Sequence, residues 1–271
     1  MNDLYHYGTK RHSGRYPWGS GDRPYQRNNI KKPSNKIIEK SIKKRTEVAK
    51  YLGLNPNEND VKNKSLLDLD KDVYIKSGEK VQHITGVVIN ELKESQLYVT
   101  YEKEDNKLYE AFLGSNLKRL GYEPMKAVLT LKKDLKAPSA NEQYDIFNNM
   151  LKNESKVIYD SLSKYLVDKK KFSSYEDALK DLKSRNLKDL YVEFTNSFEF
   201  SGLAQGKFYK ELKKRGYNAV LDEHDRLGSW MLGKKPLIIM DALNTIGNIE
   251  MEQLSKSDLV KSMEEVFGRR S

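Results

Sequence analysis

Asn218-Ala-Val-Leu221 and Pro236-Leu-Ile-Ile-Met240 decide the architecture of this chain. Both are short apolar runs of the kind that strands buried on both faces require. They follow residues 139 to 215, a stretch whose apolar residues recur mainly at helical spacing. Ahead of that block stand further strand-like runs: Val73-Tyr-Ile75, Lys80-Val-Gln-His-Ile84 across a Ser77-Gly78 turn, Leu97-Tyr-Val-Thr-Tyr101 and Ala127-Val-Leu-Thr-Leu131. Strands, then a helical block, then strands predict α+β. A polar loop, residues 222 to 235, separates the two late strands.

Working outward, Leu108, Tyr109, Phe112, Leu113, Leu117 and Leu120 mark one helix face that Gly121 stops. Phe208, Tyr209 and Leu212 form the inner face of the last helix of the central block. Ser174-x-x-Asp177 and Ser255-x-x-Asp258 have the spacing of capping boxes, the second opening a helix toward Phe267 with Arg269 and Arg270 behind it. Ser34 is placed to cap a helix running to about Leu52, with Gly53 as its stop. The organisation expected is therefore an extended basic aromatic docking arm over 1–33, a helical segment and linker over 34–64, and a mixed α+β domain over 65–271.

Composition removes several function classes. The chain of 271 residues has no Cys, which excludes disulfides, thiolate catalysis and cysteine-ligated metals. Its four His show no short-range pairing beyond His6 and His12, so no metal site is expected. No apolar run approaches the ~18 residues of a membrane span, and the first residues lack the apolar core of a secretion signal. No serine nucleophile elbow or phosphate-binding loop is present.

The charge is distributed unevenly. Residues 1–50 carry 13 basic and four acidic side chains, a net of +9, whereas the other 221 residues net only +1. The first 25 residues also hold Tyr5, Tyr7, Tyr16, Trp18 and Tyr25 among glycines and prolines that forbid a regular element. A segment unable to form a core, yet rich in large amphipathic side chains, is suited to lie on another surface. Tyr7, Arg11, Arg15, Tyr16, Trp18 and Tyr25 are its expected anchors, and phosphate backbone is a second surface such a basic arm suits.

The run His6-Tyr-Gly-Thr-Lys-Arg-His-Ser-Gly-Arg-Tyr-Pro-Trp-Gly-Ser-Gly21 resembles the amino-terminal signature of virion or virion-associated proteins of tailed bacteriophages of Gram-positive hosts. That resemblance implies synthesis in the host bacterial cytoplasm, residence in the virion, and portal, capsid or neck subunits as partners. Thr46-Glu-Val-Ala-Lys-Tyr-Leu-Gly-Leu-Asn-Pro-Asn-Glu-Asn-Asp-Val61 is similar to the opening half of a helix-turn-helix, which would make a DNA-binding packaging or regulatory factor. Its second helix, however, would present acid where phosphate contact needs base.

Residues 73–245 together resemble the ADP-ribosyltransferase superfamily in a divergent phage form. The resemblance rests on Gly78-Glu-Lys-Val-Gln-His83-Ile, on Leu97-Tyr98-Val-Thr-Tyr101 with Asp105 and Tyr109, and on Gly216-Tyr-Asn-Ala-Val-Leu-Asp222-Glu-His-Asp225 before Pro236-Leu-Ile-Ile. It implies NAD as the substrate if the body is an enzyme, with His83 posing the dinucleotide, Tyr98 or Tyr109 stacking on nicotinamide, and Asp222 or Glu223 stabilising the cation formed as nicotinamide leaves. The chain lacks the Ser-Thr-Ser triplet and the Glu-x-Glu pair of that superfamily. Each residue also has a plainer role: His83 satisfying a backbone carbonyl, the tyrosines filling the core, the acids capping a loop. The expectation is a virion structural protein whose body is catalytically inactive and needs no cofactor.

Overall fold

Ser34 caps the first helix of the described residues by accepting a hydrogen bond from the Ile37 amide. The computed structural model describes residues 33–56, 71–89, 96–199 and 202–268. The six arm anchors, the second half of the helix-turn-helix-like stretch and Arg269 and Arg270 lie outside these residues. Helix α1, Asn35–Tyr51, ends at Leu52 and turns through Gly53 at φ 87°, a left-handed conformation that a side chain would strain. Its inner face, Val48 and Ala49 with Leu52, is buried among Leu108, Phe112, Met231 and Met263. The helical segment expected over 34–64 thus shares a core with the body that follows it.

Among the described residues the strands form three antiparallel sheets. In the first, β1 (Val73–Ile75) pairs with β5 (Leu135–Ala137). In the second, β4 (Met125–Leu131) lies between β2 (Lys80–Thr85) and β8 (Ile246–Gln253). In the third, β7 (Leu237–Ile239) lies between β3 (Leu97–Val99) and β6 (Ala219–Leu221). The strands flanking Ser77-Gly78 do not pair with each other; each takes a partner from residues 125–137. Gln82 and Thr100 exchange two backbone hydrogen bonds of 2.7 and 2.8 Å, which join the second sheet to the third. The apolar runs at 219–221 and 237–239 are buried at every position, as their composition requires.

Strand β8 was not read from the sequence, although Ile249 and Met251 alternate with Glu250 and Glu252 as a half-buried strand should. It packs its apolar positions against the sheet core and leaves its acids in solvent.

The helix expected over 108–120 is three pieces: α2 (Lys103–Leu108), a π-helical turn (Tyr109–Gly114) and α3 (Ser115–Arg119), stopped at Gly121 with φ 89°. The central block is α4 (Ala140–Asp168), α5 (Tyr175–Ser184), α6 (Leu187–Asn196) and α7 (Leu203–Lys214). A ladder of rings from Tyr144, Phe147, Tyr191, Phe194, Phe198 and Phe208 joins α4, α6 and α7, with centroids 4.9–5.6 Å apart. After β7, the single-turn α8 (Ala242–Thr245) leads into β8. The last helix, α9 (Lys256–Phe267), begins with the Ser255–Asp258 capping box and stops at Gly268, φ 71°. The fold is α+β.

Candidate functional site

The bridge between the second and third sheets creates a cleft. Gln82, His83 and Ile84 of β2 line one wall, and Tyr98, Val99 and Thr100 line another. Tyr109 and Leu113 of the π-helical turn close the back, while Asp222, Asp225, Pro236 and Leu237 complete the rim. The cavity measures about 250 Å³. That is below the usual range for drug-sized ligands and suits a single aromatic ring more than a dinucleotide.

Four of the five residues proposed for catalysis therefore meet at one place: His83, Tyr98, Tyr109 and Asp222. Register explains part of this. The bridge at Gln82 and Thr100 sets β2 and β3 side by side, so that His83 Nδ1 reaches the Tyr98 carbonyl at 2.7 Å. A carbonyl can only accept, so Nδ1 carries the proton and Nε2 of the neutral ring is left as an acceptor. Burial holds the imidazole pKa below its ordinary value, only partly offset by the Tyr98 carbonyl. Thus His83 does satisfy a backbone carbonyl, and it does so while lining the cleft.

Tyr98 is about one-third exposed (36%) and lines the cleft, its hydroxyl accepting from Gln96 Nε2 at 3.2 Å. Tyr109 is buried and committed: its hydroxyl donates to Asp225 Oδ2 at 2.6 Å. Burial, with the nearby charge of Asp225, pushes the phenol well above its usual range, so it remains a donor.

The acids divide. Asp222 is buried, accepts the Asp225 amide at 3.1 Å, and caps the turn that follows. Burial first, and the neighbouring Asp225 charge second, raise its pKa well above the carboxylate range. Glu223 is turned away from the cleft, buried against the Arg226 guanidinium, with both side chains at 1–2% exposure. Asp225, not Glu223, is the second carboxylate of the rim. The Glu223–Arg226 spacing of three residues was the sequence signal for this pairing, since a helical turn brings such residues together.

The polar loop expected over residues 222–235 begins with a π-helical turn, His224–Gly228. It closes through the Asp222 amide, which donates to the Pro236 carbonyl at 2.8 Å. Asp105 accepts the amides of Lys234 and Lys235 at 2.8 and 2.6 Å. The Arg226 Nε donates to the Lys234 carbonyl at 3.1 Å. Gly233 passes so close to Tyr109 that a Cβ there would lie 3.1 Å from its hydroxyl. Thr100, Gln82 and Arg226 belong to this constellation and were not singled out from sequence, because side chains that serve a junction between sheets carry no local motif.

Among the described residues no group of three or more His, Asp or Glu could hold a metal ion, and no helix is long and apolar enough to cross a membrane. Comparison with protein-family models, with curated proteins and with solved structures found no match.

Proposed function

We propose that this is a bacteriophage virion structural protein, associated with head, neck or portal, which docks through its basic aromatic arm and carries a catalytically inactive body. The observation that carries this reading is the split of charge, +9 in residues 1–50 against +1 in the rest, coincident with five aromatics in a glycine- and proline-rich stretch. An arm repeated around a ring of subunits makes weak single contacts collectively strong. The cleft adds indirect support. Stabilising the cation formed as nicotinamide leaves needs an ionised carboxylate facing it, whereas Glu223 is tied to Arg226 and burial pushes Asp222 toward its neutral form.

Trp18→Ala tests it. The body should keep its circular dichroism and melting behaviour while incorporation into particles drops. Wild-type incorporation of the variant sinks the docking role.

A second reading, a phage ADP-ribosyltransferase consuming NAD, is favoured by one observation: four residues nominated by resemblance line a single cleft. In that reading Asp225, held by Tyr109, replaces Glu223 as the carboxylate facing the ligand. Nicotinamide release from NAD by purified protein, abolished in His83→Ala, would establish it. Release no faster than in buffer across a panel of bacterial acceptor proteins leaves the structural reading alone.

A further inference from the structure

The loop over the cleft is held from below by Asp105 and Tyr109, but its tip is held by a different element. Ser41 of α1 donates through its hydroxyl to the Trp230 carbonyl at 2.6 Å. Arg45 of α1 donates to the Met231 carbonyl, and its guanidinium lies 5.1 Å from the centre of the Phe112 ring. Lys44 lies 6.0 Å over the Trp230 ring. Ser41 and Arg45 are both buried, at 2% exposure, so neither bond is a surface accident. Burial draws the guanidinium pKa down to about 10, which still leaves it charged.

The tip they hold is strained. Leu232 sits at φ 48°, in the left-handed region that a leucine rarely adopts. Leu232 and its neighbour Met231 are both buried, and Met231 packs into the core that α1 helps to form. A conformation of this kind persists only where its surroundings over-determine it. The same loop supplies Asp222, Asp225 and Pro236 to the cleft.

We infer that α1 is a latch: Ser41 and Arg45 hold the 222–236 loop in a strained, closed position over the cleft, and release of α1 lets the loop relax and the cleft widen. The latch lies directly after Pro33, where the arm expected from sequence ends, so tension on that end of α1 acts on the bonds that shut the loop. The inference stands on contacts within the body and goes beyond the docking reading, whose failure would leave it intact.

Hydrogen exchange on the full chain tests it, with Arg45→Met, which keeps bulk but removes the donor, Ser41→Ala, and Arg45→Lys, which keeps a charge. Arg45→Met should speed exchange of the 226–235 amides about tenfold, the factor expected for losing one charge-assisted hydrogen bond, while β4 amides keep their protection. Ser41→Ala should give about threefold, and Arg45→Lys should fall between wild type and Arg45→Met. In a Trp18→Phe background Trp230 is the remaining tryptophan, and its quenching by acrylamide should rise in the same order. Unchanged loop exchange in Ser41→Ala and Arg45→Met overturns the latch. So does equal acceleration of loop and β4, which is global destabilisation. Should Arg45→Met fail to fold, Ser41→Ala and Arg45→Lys decide the matter alone.

Discussion

The central helical block and the loop over the cleft are both buried, yet they are held by opposite means. Between α4, α6 and α7 the contacts are rings on rings: Phe147, Tyr191, Phe194 and Phe208 interlock at 4.9–5.3 Å. The 222–236 loop is held by half-buried hydrogen bonds to Asp105, Tyr109 and Ser41, by a buried one to Arg45, and by the buried Glu223–Arg226 pair. Burial of apolar rings is non-directional, indifferent to protons and spread over many atoms. Buried polar anchoring is directional, each bond has a partner that can be withdrawn, and the desolvation it requires returns when one partner goes. The block is a foundation, and the loop is a part whose position is conditional.

The contrast can be broken in four ways. Phe194→Ala should cost most, about 3–5 kcal/mol of global stability by chemical denaturation, because it empties the middle of the ring ladder. All probes should report that loss together. Asp105→Ala should cost about 2 kcal/mol, since it strands the half-buried amides of Lys234 and Lys235. Here the loss should be confined to loop amides in hydrogen exchange, with Asp105→Asn recovering part of it. Equal effects on loop and helical block would show that the two are not separable.

Gly228→Ala should cost about 1–2 kcal/mol by overpacking, because the new Cβ would lie 2.6 Å from Val192 Cγ1 of α6, where loop and block touch. Val192→Ala in the same molecule should recover most of it. Failure to recover would place the strain elsewhere.

The smallest effect concerns pH. Burial raises Asp105, Asp222 and Glu223 above their ordinary values, so each binds its proton more tightly folded than unfolded. Their contribution is complete below the unfolded values, near 3.8 for the aspartates, and is lost as pH climbs through the raised ones. Loop amides, corrected for intrinsic rate, should therefore lose protection as pH rises above the unfolded carboxylate values, while α4 and α6 do not. His83 has the opposite sign: its depressed value means that protonation below about 6.5 opposes the folded form, loosening the β2–β3 junction toward acid. A block as pH-sensitive as the loop would contradict this division.

Much of the fold was legible because its signals are local. Gly53, Gly121 and Gly268 end helices in left-handed turns. The runs at 219–221 and 237–239 needed no partner information to be recognised as buried strands. Strand β8 was missed because Gly247 and Asn248 leave only Ile249–Glu252 to alternate, and β5 because three residues, Leu135–Ala137, carry too little pattern. The π-helical turns were invisible, since an inserted residue leaves the apolar spacing nearly intact. For the cleft, residue types brought His83, Tyr98, Tyr109 and Asp222 into consideration, but only the Gln82–Thr100 junction puts them together. Glu223 went to the ligand because residues 222–235 read as a loop, and its three-residue spacing to Arg226 signals an ion pair only once that stretch turns helically.

Strand β8 has a consequence for how copies of the chain behave in crowded surroundings. Among the described residues its outer rim has no strand beside it, eight residues of main chain ready to template another strand. Glu250 and Glu252 stand along that rim, each paired with a lysine inward, so an approaching twin meets like charge. Exchanging both for threonine would remove that guard, and sheet-to-sheet stacking into insoluble fibres should follow at concentrations the native chain tolerates.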